Sequence, residues 1–356
     1  HACLGGAYDE AFTIYTRDIS KGDRHVPEYQ LGAYETTFVT LLDFFPDRDT
    51  ARQPRPESVA GDILHSVAFC LMKLGRLSEA TPFFEHSKAL ALDAKEWSEA
   101  GITCGNLADL YAYLGLLKLS ADSAREADGL GTLVNDSQGM LISARALGWT
   151  DHLRGKSVEA SVAFKRAEAL ERAHDPSIQY LYSLRGIQHA EHLRRTGDRE
   201  YARRVTEANL TICENAGWLD DLSKSHRVMG DLEADEGLHD RAGQSFTEAV
   251  KLARSITVRD VLIEGLTSQG RWLARRGHAD AARVDLDEAL EHAVAGGYRI
   301  YEADIRIGLT WAYLAGGDVV RARQEMERAS QMSTEMDYYW GQVDAADAAA
   351  AMTTAR

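Results

Sequence analysis

Seven glycines, Gly75, Gly115, Gly155, Gly197, Gly237, Gly277 and Gly317, follow one another at intervals of 40, 40, 42, 40, 40 and 40 residues. A ladder this regular restricts the chain to an array of like units, because every rung must serve the same local geometry. Two further columns keep its phase. Five residues after each glycine stands Ala80, Ser120, Ala160, Ala202, Ala242, Ala282 or Ala322, and seven before it Ala68, Ala108, Gly148, Ala190, Gly230, Gly270 or Thr310. The flanking segments carry apolar residues at helical spacing. Each unit therefore reads as two helices joined by a turn, with glycine supplying the positive φ that ends the first helix. The small columns let the two helices approach closely. Larger side chains nine past the glycine (Phe84, Phe164, Phe246, Leu286, Met326) are expected to fill the seam between units, and a mostly small column recurs at twelve past it.

The unit is clearest in the strings GAYDEAFTIY from Gly6 to Tyr15 and GRLSEATPFF from Gly75 to Phe84. In these features the chain resembles the tetratricopeptide repeat family, whose minimal unit is about 34 residues. The longer period of 40 resembles the long-repeat sensor regions of bacterial STAND-type signalling ATPases. The resemblance implies an all-α fold: a right-handed α-solenoid of about seven 40-residue helix-turn-helix repeats, with an N-terminal partial repeat and a C-terminal capping helix. It covers Ala60 to Met336 as seven units. Asp151 and Glu233 stand four before their glycines, where Tyr111 and Tyr313 fit the family pattern. Those two acids are expected to bend local packing or to face water.

One solenoid is expected over residues 1–356: a partial repeat, an extra helix and a Pro-rich loop over 1–61, seven repeats over 62–340, and a cap over 341–356. Gly6 to Gly75 is 69 residues, out of phase with the ladder, so an additional element intervenes. The stretch from Glu28 to Phe45 has helical spacing, and Pro46 to Gly61 reads as a long surface loop. All six prolines avoid helix interiors, with Pro82 falling in a first turn, where it is tolerated. Gly6 to Asp18 reads as the second helix of a repeat whose first helix is missing, and no Met precedes His1. The chain is expected to be the C-terminal part of a longer protein.

A formal charge of −15 argues against nucleic acid and anionic membranes, since phosphate binding requires clustered cations. No apolar run of about 18 residues and no signal-peptide pattern is present. Cys3, Cys70, Cys104 and Cys213 lack CxxC spacing and read as reduced core thiols, which suits a cytoplasmic protein.

Candidate chemistry is sparse. The string RGKS at Arg154 to Ser157 ends like a phosphate-binding loop, but that motif needs a glycine where Thr150 stands and a strand where a helix is expected. His189 and His192, three apart near Glu191, have spacing that can hold a metal. His189, however, occupies a column filled elsewhere by Val67, Leu107, Leu147, Met229 and Leu309, and so reads as a core histidine. No catalytic set, metal or cofactor is expected.

The family places the first helix of each unit on the concave surface. Residues three, six and ten before each glycine then project into the groove, and these columns vary where the packing columns do not. In the central repeats they gather Arg145, Trp149, His152, Glu191, Arg194, Arg227, Asp231 and Arg271, with Gln188 beside them. Guanidiniums there can hold a carboxylate or phosphate, and Trp149 can stack on a ligand. Alternatively, the charges pair across neighbouring helices and stiffen the superhelix. The aromatics Tyr298, Tyr301, Trp311, Tyr313, Tyr338, Tyr339 and Trp340 offer a second candidate surface. Two readings follow: a non-catalytic sensor region taking a peptide, protein or small ligand in the groove, with an ATPase or effector domain upstream, or a stand-alone adaptor or co-chaperone binding extended peptides.

Overall fold

The computed structural model describes residues 2–22 and 26–354, and among these residues it is all-α. Two short helices open the chain, α1 (Tyr8–Ile14) and α2 (Tyr34–Leu41). Seven antiparallel pairs follow: α3 (Ala60–Lys73) with α4 (Leu77–Ala94), α5 (Trp97–Tyr113) with α6 (Leu117–Val134), α7 (Ser137–Leu153) with α8 (Ser157–His174), and α9 (Ser183–Thr196) with α10 (Arg199–Ala216). The array continues as α11 (Leu219–Asp235) with α12 (His239–Ser255), α13 (Arg259–Arg275) with α14 (Ala279–Gly296), and α15 (Arg299–Ala315) with α16 (Val319–Glu335). Helix α17 (Tyr339–Thr354) covers the last pair. This is a tetratricopeptide-type solenoid.

The ladder glycines all adopt positive φ, between 73° and 101°. At every rung the residue after the glycine donates its backbone N–H to the carbonyl four before it, as Arg76 does to Leu71 at 2.9 Å and Leu238 does to Glu233 at 2.8 Å. That bond satisfies a carbonyl the helix end would otherwise orphan, and only glycine reaches the turn without a Cβ penalty.

The small columns have a packing cause. The residues five past each glycine are buried. A Cβ added at Gly230 would lie 2.7 Å from the Phe246 ring, and one at Gly270 would lie 2.6 Å from Leu286. The large residue nine past the glycine thus packs inside its own unit against the small residue seven before it. It serves the seam between units as well, since a Cβ at Gly308 would meet Leu286 at 2.8 Å.

Several local expectations are corrected. The region from Glu28 to Phe45 is helical only over α2 and in short turns, because Gly32 at φ 61° breaks the segment. The stretch from Pro46 to Gly61 holds two short helical turns, and α3 already begins at Ala60. Pro82 lies in the second turn of α4 and not its first, so it removes an internal N–H from the helix ladder. Glu233 does not face water: it is 2% exposed and holds Ser245 at 2.7 Å and Arg241 at 3.1 Å. The single 42-residue rung reflects a longer connection, residues 175–182, between α8 and α9.

Successive units rotate until distant ones meet. Tyr298, fully buried before α15, donates to the Met72 carbonyl at 3.3 Å. Lys73 reaches Asp220 at 3.3 Å, Tyr113 reaches Asp260 at 3.2 Å, and Arg154 reaches Asp337 at 2.9 Å. Thr257 donates to the Gly32 carbonyl at 2.7 Å. Units four or five apart are therefore in direct contact, and the concave face closes around an axis.

Candidate functional site

Around that axis lies a cavity of about 690 Å³, walled mainly by α7, α9, α11, α13, α15 and α17. Its size falls within the roughly 300–1,000 Å³ of small-ligand sites. Eight of the nine groove residues picked out by sequence line it: Trp149, His152, Gln188, Glu191, Arg194, Arg227, Asp231 and Arg271. Arg145 stands behind the wall, 5% exposed, with its guanidinium on Asp109 and 3.4 Å from the Gln188 amide oxygen.

Most of the charges are paired. Glu191 accepts from Arg194 at 2.7 Å and from Arg227 at 3.4 Å, and Arg194 continues to Asp235 at 2.9 Å. Arg227 also holds Asp231 at 2.9 Å and Glu264 at 3.2 Å. Lys224, 4% exposed, bridges Asp260 at 2.6 Å and Glu264 at 2.8 Å. Burial alone would raise the Glu191 carboxyl, but Arg194 and Arg227 outweigh it and hold the group well below the usual range. Burial wins at Asp231 and raises it. The wall carries seven Lys or Arg and seven Asp or Glu, so it does not repeat the strongly acidic balance of the whole chain. A ligand enters such a wall by exchanging with an internal partner, since a buried charge left alone is costly.

The aromatic side is organised by His152. Trp149 stacks on its ring at 5.1 Å, and the Trp340 indole N–H donates to His152 Nδ1 at 3.1 Å. An indole only donates, so this bond assigns the His152 proton to Nε2. His192 Nδ1 lies 3.3 Å from the same nitrogen, and its Nε2 lies 2.8 Å from the Ser161 hydroxyl. Burial pushes His152 down to about 3, reinforced by His192, and pushes His192 down to about 4. Both rings are neutral.

His189 faces the core as its column implies, stacked on Phe164 at 4.9 Å and pushed down to about 3 by burial. The folded protein keeps it neutral while the unfolded chain takes up a proton below about pH 6.5, so stability is lost as pH falls from there toward about 3. His189→Leu, which restores the column's usual residue, is expected to lose roughly 1 kcal/mol less than the parent between about pH 7 and pH 5.5. Urea unfolding at the two pH values measures the difference.

Sequence reasoning missed Lys224, Glu264 and Asp304, thirteen before their glycines, and Asp344, forty past Asp304. All four line the cavity. One more helical turn beyond the column at ten before the glycine would have found them, because i and i+3 share a face. Arg195, Asp235 and Arg275, two before their glycines, also line it. The proposed second aromatic surface divides. Tyr298 is core, Tyr301 donates to Glu264 at 2.6 Å, and Tyr338 and Trp340 belong to the cavity itself.

No protein-family model matches the chain, and no curated protein is detectably similar to it. Among solved structures, a chain of the APC/C hetero-tetramer Cut9–Hcn1 is similar over 98% of this chain at 12% identity and a TM-score of 0.61, and this chain spans 59% of it. A Rap protein complexed with Competence and Sporulation Factor is similar over 99% of both chains, at 10% identity and a TM-score of 0.58. Both are helical-repeat proteins of the tetratricopeptide type, and at these identities the likeness speaks to the fold.

Proposed function

We propose that the chain is a non-catalytic recognition module that takes a short peptide or a peptide-like ligand into the axial cavity. The observation that carries this reading is the convergence of seven variable-column residues, with Gln188 beside them, from repeats three to six, on one cavity bounded by a regular packing frame. The Rap structure, alike over its whole length, is a complex with Competence and Sporulation Factor, and this supports a ligand in the same kind of superhelix. Within that role the chain is the sensor region of a longer bacterial STAND-type signalling protein of the cytoplasm, a finer reading that rests on the 40-residue period. A ligand spanning several repeats favours one superhelical pitch and shifts the host between states by its differential affinity.

The test is native mass spectrometry of the purified chain against a library of free pentapeptides. Retained peptides are expected. Trp149→Ala combined with Arg194→Ala should weaken retention at least tenfold at a temperature where circular dichroism shows both proteins folded, the melting temperature itself falling with the loss of the Arg194 pairs to Glu191 and Asp235. Absence of any retained peptide, or equal retention by the variant, overturns the reading. For the host, a phosphate-binding loop is expected in the reading frame upstream of His1, and a frame that starts within about one helix of His1 removes the signalling-ATPase assignment.

A further inference from the structure

Trp340 and Asp344 stand four apart on α17 and reach the cavity together. The Asp344 carboxylate, 8% exposed, accepts from Arg195 at 2.8 Å and from Arg271 at 2.6 Å. Those guanidiniums come from α9 and α13, two repeats apart. The Arg195 guanidinium also lies 4.3 Å from the centre of the Trp340 ring, whose N–H is spent on His152. One aromatic and one acid of α17 thus occupy a cage built by three other repeats.

Beside the cage stands a further cation. Arg275, one turn on from Arg271, lines the same cavity, lies over Trp311 at 5.2 Å and forms no ion pair among the described residues. Asp304, on the facing wall, is taken by the Tyr338 hydroxyl at 3.0 Å. Arg275 is exposed, with Arg271 on one side and Asp344, Asp235 and Asp347 within electrostatic reach, so its guanidinium is open to an incoming anion. Helix α17 covers the array through Ala345, Ala348 and Met352, and Trp340 also packs against the core cluster of Ile300, Met332 and Met336. The Asp344 contacts are therefore the ones that can be removed without loss of apolar packing.

We propose that Arg195, Arg271, Arg275 and His152 form a carboxylate-and-aromatic binding subsite, which Trp340 and Asp344 fill in the resting protein. The ligand of the cavity carries an acidic group beside an aromatic ring and displaces them. This rests on the recognition role proposed above. The local sequence of α17 is then a resident copy of the ligand's recognition pattern, and binding competes with the seating of α17.

The probe is the acetylated, amidated pentapeptide Trp-Gly-Gln-Val-Asp, the segment from Trp340 to Asp344, followed by calorimetry. Trp340→Ala with Asp344→Ala vacates the cage and leaves the buried alanine face of α17 intact. This variant is expected to bind the peptide at least tenfold more tightly than the parent chain. Replacing the peptide's Asp by Asn, or adding Arg271→Ala to the variant, should remove that gain. Asp344→Asn alone, nearly isosteric, gives a smaller gain of the same sign and answers the question if the double variant folds poorly. Equal affinity for parent and variants, or indifference to the Asp-to-Asn change, overturns the subsite. The recognition role is judged separately, by Trp149-dependent retention of library peptides.

Discussion

Lys224→Ala is expected to destabilise the protein by about 3–5 kcal/mol, the usual cost of breaking a buried ion pair by removing one partner. Lys224 and Asp260 are 4% and 2% exposed, and their contact of 2.6 Å joins α11 to α13. Burial pushes the Asp260 carboxyl up, yet Lys224 and then Lys73 outweigh it and keep it low. Without Lys224, Asp260 keeps a hydrogen bond from Tyr113 and the more distant Lys73, neither of which restores the direct contact. Glu264 suffers less, because Arg227 and Tyr301 still hold it. Most of the loss therefore belongs to Asp260, and a double replacement, Lys224→Met with Asp260→Leu, should recover more than half of it. Urea unfolding of the four corners of this cycle measures the coupling directly. Equal losses in the single and double variants would show that the charge pair does not set the stability here.

The same pair belongs to a chain of charges along the axis. Lys224 shares Glu264 with Arg227, Arg227 shares Glu191 with Arg194, and Arg194 ends on Asp235. Pairing across neighbouring helices and a binding wall were alternatives when only the columns could be read. In the folded chain the paired residues are those that face the cavity, so the pairing and the proposed wall involve the same side chains. A ligand that exchanges with one partner perturbs units on either side, which is how a local contact alters superhelical pitch.

Repeat pairs, hinge conformations and the inner face were legible because each depends on contacts local to one unit or its neighbour. Gly230 opposite Phe246 is such a contact, sixteen residues apart, and it recurs with the period. The closed axis was not legible. It arises from a small rotation per unit accumulated over four or five units, and the residues it brings together, such as Lys73 with Asp220, are related by no short spacing. Trp340 illustrates the same limit. By sequence it belongs to an aromatic run at the end of the array, and only closure carries it to His152, 188 residues earlier.

Tyr298→Ala tests the closure itself. The side chain is fully excluded from water, stacks on Tyr301 at 5.7 Å, meets Tyr113 edge-on at 5.4 Å and donates to the Met72 carbonyl. Gly75, the first hinge, packs on the same ring, since a Cβ there would lie 3.4 Å from it. Truncation of a buried aromatic costs about 3–5 kcal/mol, and here the loss falls on a seam between the first repeat and the sixth and seventh. Phe246→Ala provides the control: Phe246 is equally buried, and it packs on Gly230 within its own repeat and on Trp272 of the adjacent one. Both variants are expected to lose comparable stability in thermal and urea unfolding. Only Tyr298→Ala should increase the radius of gyration in small-angle scattering, because it alone loosens contacts between turns. An unchanged radius would mean that Lys73, Tyr113 and Arg154 hold the axis closed without it, and expansion of the Phe246→Ala protein would mean that pitch is set inside the repeats.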